Sequence, residues 1–340
     1  MNSKERIHAA SALKPTDRAP VALLSGGSWA LNSHGLSQRQ ALGMESGAAA
    51  DVLFDAYTAT GCDMVWSAPG SGNLVVQALG GKLNFRAKGA SDVAEAPIKS
   101  IDEVDGIKLD VLKTDVSLAK IKDISKAVVR KTGNEYAAGA TMWGPVTLAG
   151  LLFGVENFMR GVYRNPQTIH RLLDWAGDVF LAYTENYIEA GIDLIEMGEP
   201  NASGDMISKK HFAEFVVPVL QKIFTALRKQ NTISCLHICG ATTDRFDLIA
   251  QTGADIFSMD YKADLAAARG VFDGKMAFAG NIDPVGVLLH GTPDGVTRAS
   301  RRCMDCAGTG NGFILMPGCD IPPATPVENI KAMTRSCYAA

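Results

Sequence analysis

The stretch Ile233-Ser-Cys235-Leu-His237-Ile-Cys239-Gly240 is a β-branched, apolar run closed by a glycine, and it reads as a short buried strand. Alternate residues of a strand face the same side, so Cys235, His237 and Cys239 share one face and the last two stand at its carboxyl end. Working outward, comparable runs occur at Pro20–Leu24, Asp63–Ser67, Tyr136–Met142, Asp193–Met197, Asp255–Met259, Met276–Ala279 and Phe313–Met316, eight with the first. Helical-period segments separate them: Gly47–Thr60, Leu118–Lys131, Pro166–Ala190, Ser208–Lys229, Thr243–Gln251, Thr292–Ala307 and Val327–Tyr338. Strands alternating with helices in this number predict an α/β protein of the (β/α)8 barrel type.

Such a barrel needs about 250 residues, so roughly 90 are surplus, mostly on the N-terminal side. We expect one barrel over residues 1–340, with a helical extension at 1–19 and an insertion at 70–115 after the second barrel strand. Within that insertion, Leu74–Leu79 and Leu83–Lys88 flank Gly80-Gly81 and read as a β-hairpin.

Composition excludes several classes of function. Hydrophobic residues at 47% and charged residues at 20% suit a large core rather than a disordered chain. A net charge of −3 without basic runs disfavours nucleic acid as a partner. The longest uncharged apolar stretch, Met142 to Val155, is too short for the roughly 20 residues of a membrane span. The start, Met1-Asn-Ser-Lys-Glu-Arg, leads into no apolar run, so no secretory leader is expected. Seven cysteines, an odd set in a long chain, point to reduced thiols and a cytoplasmic protein.

Barrel enzymes carry their chemistry just beyond the strands. The polar residues there are Glu199, His237 with Cys239, Asp260, Asn281 with Asp283, and Cys319 with Asp320. Two thiolates and one imidazole, from His237, Cys239 and Cys319, suit zinc, and three protein ligands leave a fourth position open for chemistry. Two thiolates also cancel the charge of zinc, which makes a poor Lewis acid but a good holder of an incoming thiolate. Cys235 lies a strand step deeper and reads as a core thiol. Cys303-Met-Asp-Cys306 falls on an outer helix, with no second such pair, and reads as structural. Gly144-Pro145 opens a helix whose N–H groups suit an anion, although proline at that position is also ordinary helix chemistry. Glu199 is open to three readings: a resting fourth ligand, a base, or a substrate contact. His8, His34, His170, His211 and His290 lack ligand spacing, and most of them read as surface residues.

Together with His237-X-Cys239 and Cys319, several segments carry a resemblance: Met142-Trp-Gly144-Pro145-Val-Thr147-Leu-Ala149, Gly198-Glu199-Pro-Asn201-Ala-Ser203-Gly-Asp-Met-Ile207-Ser208, Ala279-Gly280-Asn281-Ile-Asp283-Pro284, and Pro317-Gly318-Cys319-Asp-Ile321-Pro-Pro-Ala-Thr325-Pro326-Val-Glu-Asn329. From about Arg18 onward the sequence resembles the uroporphyrinogen decarboxylase superfamily, and within it the zinc-dependent corrinoid methyltransferases. The resemblance implies a TIM barrel in which zinc on His237, Cys239 and Cys319 activates a thiol. The thiol sulfur, that of coenzyme M or a related small thiol, would take a methyl group from methylcobalamin on a corrinoid protein, giving a thioether and cob(I)alamin. Glu199, Asp260 and Asn281 become the candidate catalytic residues, and Gly144, Asn201 and Asp283 the candidate cofactor-binding ones. The methyltransferases tend to carry aspartate where this chain has Glu199. The reverse transfer, from a small methylated donor onto the corrinoid, and a homodimeric assembly also fit. Tetrapyrrole decarboxylation is disfavoured, because the segment after the first run, Leu24-Ser-Gly-Gly27-Ser-Trp29, lacks the arginines that hold propionates in those relatives.

Overall fold

The computed structural model describes residues 1–24, 27–308 and 310–338. Among these, the strands are β1 (Met64–Trp66), β2 (Lys82–Asn84), β3 (Asp92–Glu95), β4 (Ala137–Trp143), β5 (Leu194–Gly198), β6 (Ile233–Ile238), β7 (Ile256–Met259), β8 (Ala277–Ile282) and β9 (Phe313–Pro317). Seven of them form one parallel sheet in the order β1-β4-β5-β6-β7-β8-β9. Helices connect successive strands, as parallel crossovers require, and the result is the expected (β/α)8 barrel. No helix among the described residues is long and apolar enough to cross a membrane.

The first expected strand is reduced to a single bridge, Val21 to Leu315, and the reason is local. Pro20 has no N–H to give a ladder. The Pro20 and Val21 carbonyls accept from Leu315 N at 2.9 Å and Asp63 N at 2.8 Å, which joins β9 to the start of β1 and closes the sheet. The Val21 N–H goes to the Asp63 carboxylate at 2.8 Å instead of to a backbone carbonyl. That buried carboxylate also receives Arg6 Nη1 at 2.6 Å and Arg18 Nη1 at 2.8 Å. Arg6 belongs to the N-terminal helix Ser3–Ser11, which is thereby tied across the amino ends of the strands. Beside it, Ile7, Ala22, Met64, Leu194, Cys235 and Ile314 line an apolar floor, so Cys235 is a core thiol as expected.

The insertion corrects a second expectation. Leu74–Leu79 is not a hairpin arm but most of the helix Ser71–Ala78, buried without interruption from Ser71 to Val76. Gly70, in the left-handed region at φ 68°, turns the chain into it. The hairpin forms later, between β2 and β3, which pair antiparallel. A Cβ on Gly81 would lie 2.9 Å from the Val76 carbonyl oxygen, so the end of the helix and the start of the hairpin are packed too closely for any side chain there.

Candidate metal centre and active site

Parallel register places His237 of β6 between Gly198 of β5 and Ser258 of β7. Small neighbours leave the imidazole room, and it is buried. Its Nδ1 lies 3.1 Å from both the Ser258 carbonyl oxygen and Ser258 Oγ. The carbonyl can only accept, so Nδ1 carries the proton and Nε2 is presented as a ligand. Nε2 stands 3.0 Å from Cys239 Sγ, which in turn stands 3.4 Å from Cys319 Sγ. All three ligand atoms lie within 4.8 Å of one another, and no other such group of three is found among the described residues.

This donor set fits zinc. Bonds of about 2.3 Å to sulfur at tetrahedral angles put two sulfurs roughly 3.8 Å apart, a few tenths of an ångström beyond the spacing here. Held this close, the two thiols do not ionise alike. The hydrogen bond from Cys239 brings Cys319 down to about 4, against the cost of burial, with further help from His237. Cys239 is pushed up by the same contact. Burial opposes a charge on His237, but the Cys319 sulfur and the Glu196 carboxylate outweigh it and raise the imidazole.

The triad lines a cavity with Thr141, Trp143, Glu196, Gly198 and Asp320, and the Gly70–Asn73 turn forms another wall. Asn73 Oδ1 accepts the Trp143 indole N–H at 2.7 Å and fixes the ring. A Cβ on Gly198 would come 3.1 Å from that ring, so the strand glycine lets the indole lie over β5.

The carboxylate on this cavity is Glu196, not Glu199. Glu196 and Gly198 share the inward face of β5, and Glu196 Oε2 is buried without a hydrogen-bond partner. Burial pushes the Glu196 carboxyl up. Glu199 is fully buried elsewhere: Oε1 accepts Val146 N, and Oε2 accepts Thr147 N and Thr147 Oγ1, each at 2.8 Å. Burial lifts its carboxyl to about 7 against the pull of those donors. This corrects two expectations together. Both Glu199 oxygens are engaged by these donors and the residue does not line the cavity, and the amides at the start of helix Pro145–Phe153, after Gly144, serve it rather than an external anion.

The other expected site residues hold loops. Asp260 accepts Gly240 N at 2.8 Å, beside Cys239, and Lys262 N at 2.9 Å. Asn281 Nδ2 donates to the carbonyls of Asp260 and Ala263 at 3.1 and 2.9 Å. Asp283 caps Val285 N and Gly286 N, both at 2.9 Å. Asn201 sits in the short turn Pro200–Ala202 against Gly150. None of these four lines the cavity, nor does Gly144. Cys303 and Cys306 lie on the outer helix Pro293–Ala307, apart from the triad. Of the arginine-free segment, Leu24 and Ser28 reach the cavity wall, and Ser25 and Gly26 lie outside the described residues. Sequence reasoning missed Glu196, Trp143 and Ser258, although a glutamate inside a buried strand is itself a signal.

A barrel that gathers an imidazole and two thiols at the mouth of a cavity defines the class, a barrel enzyme with a candidate metal site. The chain belongs to the uroporphyrinogen decarboxylase (URO-D) family, whose profile matches residues 2–339. It is 31% identical over 253 residues to Methylcobamide:CoM methyltransferase MtbA of Methanosarcina mazei, spanning 72% of each chain. It is also 31% identical over 260 residues to Methylcobamide:CoM methyltransferase MtaA of Methanosarcina barkeri, covering 76% of this chain and 74% of that one. A solved methyltransferase from Methanosarcina mazei superposes with a TM-score of 0.89 at 25% identity, over 99% of this chain and 98% of the other.

Proposed function

We propose that this chain transfers a methyl group from a methyl-corrinoid, carried on a corrinoid protein, to the sulfur of a small thiol. The observation that carries the reading is the His237, Cys239 and Cys319 triad, open on one side to a cavity large enough for a small thiol. Relatives named for methyl transfer between a methylcobamide and CoM support it. The free state of all seven cysteines supports a reducing, cytoplasmic setting.

In the reaction the sulfur lone pair forms a bond to the methyl carbon. The carbon–cobalt bond breaks with both electrons left on cobalt, and the thiol proton passes to water. Zinc held by the triad would keep the incoming thiol ionised, where a free thiol of pKa about 8.5 is only about 3% thiolate at pH 7, a gain of roughly 30-fold. The protein's own groups prepare that site. Ser258 fixes the His237 tautomer, and Asp260 holds the turn that bears Cys239. Glu196, with an unpartnered buried oxygen on the same cavity, is the carboxylate we assign to the fourth ligand position until a thiol replaces it. Trp143 and the Gly70–Asn73 turn confine the thiol, so alignment with the methyl carbon adds to ionisation.

The test is to mix zinc-loaded protein with methylcobalamin and a thiol and follow cob(I)alamin by absorbance. Cob(I)alamin and methyl thioether should form in equal amounts. Demethylation without a thiol, or none with any thiol, overturns the reading.

A further inference from the structure

The cavity walls carry a charge pattern that the methyl-transfer reading does not by itself explain. Beyond the triad, the ionisable side chains among its described lining residues are Glu196 and Asp320, and no lysine or arginine joins them. Ser25 and Gly26, between the lining residues Leu24 and Ser28, are uncharged by sequence. The electropositive features among the described lining residues are two helix starts, that of Gly27–Ser33 at Ser28 and that of Ser71–Ala78, which has no side-chain cap. A helix end is worth about half a positive charge, less than the Glu196 carboxylate and less than the full charge of a lysine or arginine. Glu196, 2% exposed, meanwhile has an oxygen with no donor. A buried carboxylate oxygen left without a partner is costly, and a ligand that brings a donor removes the cost.

Resting on the proposed methyl transfer, we propose that the acceptor is a small aminothiol, whose ammonium pairs with Glu196 while its carbon chain lies against Trp143. An amine two carbons from sulfur stays close to the triad, where Glu196 is found once a thiol has displaced it. A sulfonate at the same distance would face Glu196 with like charge in a confined cavity, where such repulsion is poorly screened. The covalent step is unchanged: the methyl-corrinoid supplies the methyl group, sulfur forms the new bond, cobalt keeps the electron pair and the thiol proton passes to water.

The experiment compares cysteamine, homocysteine, 2-mercaptoethanol and 2-mercaptoethanesulfonate on the zinc-loaded full chain. Binding is measured by calorimetry and kcat/KM with methylcobalamin, each corrected for thiolate fraction. Cysteamine should exceed the sulfonate at least tenfold in both, with mercaptoethanol between them. Homocysteine matching cysteamine would extend the class to amino acids, and cysteamine alone winning would confine it to simple amines. Glu196→Gln should narrow the ratio of cysteamine to mercaptoethanol binding, a comparison made within one variant. Equal or tighter binding of the sulfonate overturns the inference, most plainly if Lys88→Gln abolishes it, since Lys88 is exposed on the segment leading to the lining residue Ala90. Turnover with the sulfonate preferred would leave methyl transfer standing without the amine. Amine-selective binding with no turnover of any thiol would do the reverse.

Discussion

Replacing Glu199 by alanine should weaken the fold and spare the metal. The carboxylate receives two amides and one hydroxyl, each at 2.8 Å, in a fully buried setting. Alanine leaves those donors without a partner, and each orphaned donor costs about 1–3 kcal/mol. Shared relaxation makes the sum less than additive, so about 4 kcal/mol is expected in total. An unfolding entropy of about 2.1 cal/mol/K per residue gives this chain about 0.7 kcal/mol/K, so the melting temperature should drop by about 6 °C. Glu199→Gln keeps one acceptor oxygen and should lose about half as much. Calorimetric melting and elemental analysis, run on the same samples, provide the check. A Glu199→Ala protein that melts with the wild type but has lost zinc or thiol affinity would refute the reasoning and return Glu199 to the active site.

Cys239→Ala or Cys319→Ala should remove most bound zinc, read by elemental analysis, while the melting temperature of the metal-free protein stays within a few degrees, because the core is built without the triad. Ser258→Ala should lower zinc affinity less than tenfold in a chelator competition, since the Ser258 carbonyl still receives the His237 Nδ1–H. Asp17 is held below its ordinary value of 3.8 chiefly by hydrogen bonding from Arg6. Asp193, despite the opposing cost of burial, is held below 3.8 by His8, the Ala138 amide and Lys4. Carboxylates lowered in the folded state stabilise it above their unfolded pKa and lose that contribution as pH falls. Hydrogen exchange should therefore show the helix Ser3–Ser11 loosening below about pH 4, ahead of the barrel.

The convergence of His237, Cys239 and Cys319 was legible because strand alternation is rigid: once Ile233–Ile238 is a strand, His237 and Cys239 must share a face, and Cys319 follows Pro317 at the end of β9. The carboxylate was misassigned by the same logic applied one residue too far. Glu196 is inside β5 on the inward face, whereas Glu199 lies past its end, where φ −128° and ψ 55° turn the side chain toward helix Pro145–Phe153. Which side a residue takes after a strand ends depends on the turn, and periodicity says nothing of it. Leu74–Leu79 misled for a related reason. A segment buried on all sides has no periodicity to separate helix from strand, and burial from Ser71 to Val76 is of that kind. The helix Leu265–Phe272 went unread because its eight residues include three alanines and a glycine, although Asp264 caps it through Ala266 N and Ala267 N. At Pro20–Leu24 composition was right for a strand, but only the neighbouring Asp63 shows why the pairing stops at one bridge.

The central claim is that the triad receives the sulfur of a substrate thiol. Zinc K-edge X-ray absorption on the loaded protein, with and without thiol, tests it most directly. The account predicts two sulfur neighbours and one imidazole with one oxygen before thiol is added, and three sulfurs with one imidazole afterwards. A sulfur count that stays at two in the presence of saturating thiol would contradict it.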